Sequence, residues 1–380
     1  MKIVTRATLS ALLSTSILAG PALAQDTHPE TGEPLAADQT FTYRVLDEHS
    51  SVDPQVVEDV SGSEIVRDLF EGLMNQDENG ELVPGVATGY DVSDDKLTYT
   101  FTLRPEAVWS NGDPVTANDF VFAWRRAADP ALASPYQWFI ELMSLENASE
   151  IVAGDMAPEE LGVTAVDDHT LEVKITTPLP YFPQMLVHGS TFPVLQSVVE
   201  EHGDDWTDAG TLIGNGAYKL VEHQLGERVV MEKNDTYWDA DNVVMEKITA
   251  LTINDVNQAL TRYLAGELDR VDIPAGQYPR LKKEYPEQAV STPYNCSYIY
   301  MLNVGEKGPE ALKNVNVRKA LAYAIDRDII VERILQGGQK PSYNWTHWAI
   351  ADFERPELDW ADNMDQAQRV SVPCCCCRSS

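Results

Sequence analysis

Between residues 97 and 175 the hydrophobic repeat changes period twice, which rules out a chain built from one kind of element. Leu97, Tyr99, Phe101 and Leu103 alternate with Thr98, Thr100 and Thr102. Leu171, Val173 and Ile175 alternate with Glu172 and Lys174 after Asp167-Asp168. A period of two puts one face of each segment on a core and predicts two half-buried strands. Between them Thr116 and Asp119 have the spacing of a helix cap. Phe120, Val121 and Trp124 then form one stripe of a helix ending before Asp129-Pro130.

The same mixture recurs on both sides. Ser61 and Glu64 have capping-box spacing, and Ile65, Val66, Leu69, Phe70, Leu73 and Met74 predict a helix running to about Asn75, with a turn at Asn79-Gly80. Val256, Leu260, Tyr263 and Leu264 predict a helix that stops at Gly266, followed by a short strand through Val271 and Ile273. Val317, Ala320, Leu321, Ala324 and Ile325 mark another, and Asp326 can cap a further helix ending at Gly337-Gly338. Alternating helix and strand over 380 residues predict an α/β protein of more than one domain.

The first 24 residues have the form of an export signal. Lys2 and Arg6 supply its positive start, Ala7 to Leu18 its apolar run and Ala22-Leu23-Ala24 its cleavage site, giving 1-24 as signal peptide. Pro21 stands where a lipidated cysteine would follow Leu18-Ala19-Gly20, so the expectation is a soluble periplasmic protein and not a lipoprotein. Lys and Arg number 28 against 60 Asp and Glu, a formal charge of -32. Such a surface repels phosphate backbones and anionic lipid, excluding nucleic-acid binding.

Catalytic motifs are missing from the sequence: there is no G-x-S-x-G, H-E-x-x-H or P-loop, and Gly214-Asn215-Gly216 lacks the third glycine of a dinucleotide site. His202 and His223 sit in polar surroundings, while His188, after Met185-Leu186-Val187, is expected to be an interior histidine and not a ligand. Cys296 stands alone. Cys374 to Cys377 are contiguous, but Pro373 and Arg378-Ser379-Ser380 around them offer no second ligand pair. The run reads as the product of a frame shifted near Val370, making 370-380 an aberrant tail. No metal, cofactor or catalysis is expected.

Trp109-Ser110-Asn111-Gly112-Asp113-Pro114-Val115-Thr116-Ala117-Asn118-Asp119-Phe120, continuing to Trp124, Asp129 and Pro130, resembles the segment that marks the peptide-type solute-binding proteins of ABC importers, family 5 of the extracellular solute-binding proteins. Arg67 to Leu73, Asn215 to Leu220, Asn234 to Trp238, Gly266 to Asp269 and Val317 to Arg327 agree in the same order, so the likeness runs from about residue 40 to about 369. Read on their own, Trp109 and Trp124 are core volume, not site residues.

The resemblance implies a bilobal periplasmic-binding-protein-like α/β fold with an extra small α+β domain. Its boundaries would be 25-70 and 195-295 for the first lobe, 71-194 for the small inserted domain and 296-369 for the start of the second lobe. It implies capture of oligopeptides for ABC permease subunits in the inner membrane, by a monomer. Other family solutes (dipeptide, murein peptide, metal chelate, oligosaccharide) and a sensory or chaperone-like role are the alternatives. Four residues match positions beside the ligand in the family: Glu58 and Val60 on the stretch that lies along the peptide, and Tyr136 and Tyr294 facing the cleft. Family members run on past the end of this chain. The resemblance therefore implies an incomplete second lobe, without the aspartate that pairs with the peptide's amino group or the cysteine that bridges to the position of Cys296. Weakened binding and early proteolysis after about residue 340 are the expected consequences.

Overall fold

The computed structural model of the protein describes residues 27–29, 31–292, 296–343, 345–346 and 350. The described parts of Met1–Phe41 and His49–Thr249 form one compact unit, and those of Thr42–Glu48 and Ala250–Ser380 a second. The strands are β1 Thr40–Val45, β2 Met74–Gln76, β3 Leu82–Pro84, β4 Ala87–Val92, β5 Thr98–Leu103, β6 Val163–Asp167, β7 Thr170–Lys174, β8 Tyr218–Gln224, β9 Arg228–Lys233 and β10 Lys247–Thr252. Three helices bear on the site: α1 Val60–Leu69, α2 Ala117–Ala128 and α3 Gln137–Leu142.

In the first unit the two period-two segments become neighbours. They lie within an antiparallel sheet of order β4-β5-β7-β6. Tyr99 stands opposite Val173 and Phe101 opposite Leu171, and all four are buried. Helix α2 packs on this sheet through β6 and buries Phe120, Ala123, Trp124 and Ala127 completely. Each large side chain so buried contributes roughly 1.5–3 kcal/mol. The helix starts where the Thr116–Asp119 spacing predicts: the Thr116 N–H and hydroxyl donate to Asp119 Oδ2 at 2.7 and 3.0 Å. Trp124 Nε1 donates to the Thr191 carbonyl at 2.8 Å, so its one polar atom is paired inside the core.

Helix α1 departs from expectation at both ends. Asp59, not Ser61, is its cap, with the carboxylate accepting from the Gly62 N–H at 2.7 Å. It ends at Leu69 and does not reach Asn75. Phe70 is already extended, and Met74 belongs to β2, which pairs with β3 around the Asn79-Gly80 turn. The apolar residues keep helical spacing here, but tertiary hydrogen bonds take the backbone. The Gly216 N–H donates to the Leu69 carbonyl at 2.9 Å. Asn215 completes the pairing, its amide oxygen accepting from the Glu71 N–H at 3.0 Å and its Nδ2 donating to the Glu71 carbonyl at 2.9 Å. The chains run so close that a Cβ on Gly216 would come within 2.6 Å of Asp68, Leu69 and Phe70 backbone atoms, leaving room only for glycine.

This crossing gathers several of the segments that carry the family resemblance. Glu71 is buried and accepts from the Tyr237 hydroxyl and from Trp238 Nε1, both at 2.7 Å, while the Arg104 guanidinium lies over the Trp238 ring. The Ser110 N–H donates to the Gly214 carbonyl at 2.8 Å. These residues hold a domain together, as the sequence suggests for Trp109 and Trp124.

In the second unit, the helix Val256–Leu264 is capped by Asp255, which accepts from the N–H groups of Asn257 and Gln258. The helix buries Ala259 with Ile253 and Leu268. The strand expected through Val271 and Ile273 does not form. Only Arg270 bridges to Tyr43, and from there side chains take over, with Arg44 reaching Asp272 at 2.5 Å before Pro274. Asp326 accepts from the Ile329 N–H at 3.0 Å and caps a short helical stretch that ends at Leu335, with Gln336 as its C-cap beside Gly337-Gly338 as expected. Cys296 is exposed and has no disulfide partner among the described residues. No helix among the described residues is long and apolar enough to cross a membrane.

Candidate functional site

The stretch from Asp53 to Val60 is fixed from behind by a buried polar network. Asp53 and Gln55 are buried, and Arg126 of α2 donates to both: to Asp53 Oδ1 and Gln55 Oε1 at 2.9 Å each, and to Asp53 Oδ2 at 2.5 Å. Gln55 Nε2 donates to the Phe192 carbonyl at 3.0 Å, and the Ser134 hydroxyl donates to the Gln55 carbonyl at 2.6 Å. Paired buried charges and amides of this kind lock a loop that has no ladder of its own. At the exit of the stretch Glu58 is exposed, Asp59 caps α1, and Val60, itself 66% exposed, begins the helix.

Ser134 also positions Tyr136, accepting from the Tyr136 N–H at 3.1 Å just before α3. The phenol is half-buried, and burial pushes its pKa above 10.0, with the charges of Glu58 and Asp59 adding to the rise. Glu58 and Tyr136 therefore share one electrostatic neighbourhood, although 78 positions of sequence separate them.

Tyr136 lines a cavity of about 300 Å³ together with Val66 and Arg67 of α1, Phe139 of α3, Met185 and His188. The volume is at the small end for ligand pockets, about what a side chain and not a whole peptide fills. The His188 ring lies 4.6 Å from the Phe139 ring and 4.7 Å from that of Tyr136. Its Nδ1 accepts from the Ser190 N–H at 3.2 Å, and burial together with the Arg67 charge pushes its pKa below 6.5. A neutral imidazole beside a guanidinium suits an acceptor group better than a metal cation.

Of the four residues singled out from sequence, Glu58 and Tyr136 come together, Val60 stands on the same exposed helix start without lining the cavity, and Tyr294 lies outside the described residues. Arg67 and His188 were missed as site residues. His188 does pack as the interior residue its setting predicts, yet its ring also forms part of the cavity wall. Arg67 was visible only as part of a family segment. Its place on the cavity side of α1, one residue after Val66 and four after Ser63, was the available signal.

The family described as bacterial extracellular solute-binding proteins, family 5, matches residues 81–370, and the chain belongs to it. It is 41% identical over 362 residues to the periplasmic murein peptide-binding protein MppA of Escherichia coli K12, covering 95% of this chain and 66% of the relative. It is also 41% identical over 351 residues to the periplasmic oligopeptide-binding protein OppA of Salmonella typhimurium, covering 92% and 64%. Among solved structures it is similar to Haemophilus influenzae OppA in complex with RPPGFSPFR, with a TM-score of 0.83 and 39% identity over 88% of this chain and 66% of that one. The chain thus spans less than two thirds of the length of these relatives.

Proposed function

We propose that this chain is the receptor of a peptide importer: it captures short peptides in the periplasm and delivers them unchanged to ABC permease subunits. The observation that carries this reading is the locked stretch Asp53–Val60. Its buried network leaves Glu58 and Val60 presented to solvent, with Glu58 in the electrostatic neighbourhood of Tyr136, and a turn held rigid in front of α1 offers a peptide pre-organised contacts whatever its sequence. A peptide library passed over the protein, with retained ligands released by denaturation and read by mass spectrometry, should return unmodified short peptides. Including a murein tripeptide separates the reading suggested by MppA from general oligopeptide capture. Return of cleaved peptides, or of no peptide at all, defeats the proposal.

The organisation we propose keeps 71-194 as a small domain inserted in a first lobe of 25-70 and 195-295, with the second lobe starting at 296, after removal of residues 1-24. N-terminal sequencing of the exported protein should begin at Gln25, light scattering should give a monomer, and limited proteolysis should cut first beyond residue 340.

A further inference from the structure

The cavity beside Tyr136 has a charge arrangement that main-chain recognition of a peptide leaves unused. In a chain with 28 basic against 60 acidic residues, Arg44, Arg126, Arg228, Arg262 and Arg280 each pair with a carboxylate. Arg67 has none among the described residues. Its one hydrogen bond goes to the Val187 carbonyl at 3.4 Å, and the side chain is exposed along the cavity wall. The rest of its fork of donors is open.

His188 adds a second donor. Its Nδ1 accepts from the Ser190 N–H at 3.2 Å and lies 2.8 Å from Ser190 Oγ; with that hydroxyl donating as well, the neutral ring carries its proton on Nε2. That edge of the ring has no acceptor among the described residues. Arg67 lies close enough for its charge to help keep the imidazole neutral. Around this pair the wall is apolar, with Val57, Val66, Phe139 and Met185, which strengthens any charge-assisted bond formed there. The carboxylates of Glu58 and Asp59 act instead on Tyr136, giving the site an anionic side and a cationic side.

We propose that the Arg67–His188 wall is a subsite for a carboxylate carried by the bound peptide, which makes peptides with an acidic side chain or a free C-terminus at this point the preferred ligand class. A carboxylate would take N–H donors from both the guanidinium and the imidazole, whereas an amide could use them only as a neutral acceptor. A cationic side chain on this wall would meet the like charge of Arg67. The inference rests on the reading of this chain as a peptide receptor and narrows it.

The test is calorimetry on the full chain with tetra-alanine peptides carrying Glu or Gln at each position in turn, each as free acid and as C-terminal amide. A side-chain source predicts that one position favours Glu over Gln by about tenfold, and a terminal source that free acids exceed amides by about tenfold, the size of one charge-assisted hydrogen bond. Arg67→Gln should bring that ratio close to one, while Arg67→Lys keeps part of it. The Nε2 resonance of His188 in ¹⁵N-labelled protein should shift with the acidic peptide more than with its amide. Neutral and acidic peptides binding alike, or a ratio untouched by Arg67→Gln, overturns the inference and leaves the peptide-receptor reading standing. Failure of every peptide to bind overturns both.

Discussion

The Arg126 guanidinium meets the Asp53 carboxylate at 2.5 Å, with the two side chains 14% and 7% exposed. Asp53 opens the stretch that ends in Glu58 and Val60, and Arg126 belongs to α2, so this one pair ties the presented segment to the sheet-packed helix.

Arg126→Ala should lower the free energy of unfolding by about 3–5 kcal/mol, because it leaves the Asp53 carboxylate buried without its counter-charge. Urea denaturation measures the loss, and hydrogen exchange at Val56 and Val57, whose N–H groups donate to the Asp53 carbonyl, should speed up with it. The double variant with Asp53→Ala should lose less than the sum of the single losses. A loss under about 1 kcal/mol would be that of a surface pair and would contradict the burial argument.

Glu71 gives a pH-dependent prediction. Burial lifts its carboxyl above 4.5, although hydrogen bonds from Tyr237 and Trp238 and the charge of Arg104 pull the other way. A carboxyl whose pKa is higher folded than unfolded contributes stability that is complete below the unfolded value and is lost as pH rises through the folded one. Glu71→Gln removes this titration, so wild type should lose stability relative to the variant as pH rises from about 4.5 toward neutral. Denaturant midpoints across that window decide it, and a constant difference would show the carboxyl is not raised. Glu71→Ala should be worse at every pH, by on the order of 3 kcal/mol, since Trp238 Nε1 and the Tyr237 hydroxyl lose their acceptor.

The cap of α1 titrates in the opposite sense. Burial raises the Asp59 pKa, but hydrogen bonds from Ser50 and Gly62 outweigh it and hold the group below 3.8. Its contribution is therefore present above that value and disappears as pH falls through the lower folded value. Asp59→Ala should cost about 0.5–2 kcal/mol at neutral pH, and Asp59→Asn less, because an amide oxygen still accepts from the Gly62 N–H. Equal losses for the two variants would point to the charge and not the cap.

Much of the local structure was legible because local chemistry decides it. The Thr116–Asp119 cap, the Asp129 stop and the β5 and β7 alternation are each set by residues within a few positions of one another. What could not be read depends on partners far along the chain. Leu73 and Met74 continue the helical spacing of α1, yet Asn215 and Gly216 pull the backbone out of the helix after Leu69. The site divides the same way. Glu58 and Tyr136 came from the family pattern. Arg67 and His188 become neighbours only through a loop that folds back onto α1, and nothing in the spacing of 121 positions announces that meeting.

Tyr136 ties the stretch to the cavity, and its hydroxyl can be tested in two independent ways. Burial first, then the charges of Glu58 and Asp59, place its pKa above 10.0. Ultraviolet difference titration of wild type against Tyr136→Phe isolates this phenol, and Glu58→Gln should move its midpoint back toward 10.0 by removing one of the two charges. A midpoint unmoved by Glu58→Gln would mean that the two side chains are not neighbours in solution. The same hydroxyl belongs to a residue that lines the cavity and can donate a hydrogen bond, so Tyr136→Phe should weaken tetrapeptide binding roughly two- to tenfold, the range of one net hydrogen bond. Tyr136→Ala should weaken it further, because the ring that packs on His188 goes as well. Calorimetry on both variants checks the order, and wild-type affinity in Tyr136→Ala would remove Tyr136 from the site.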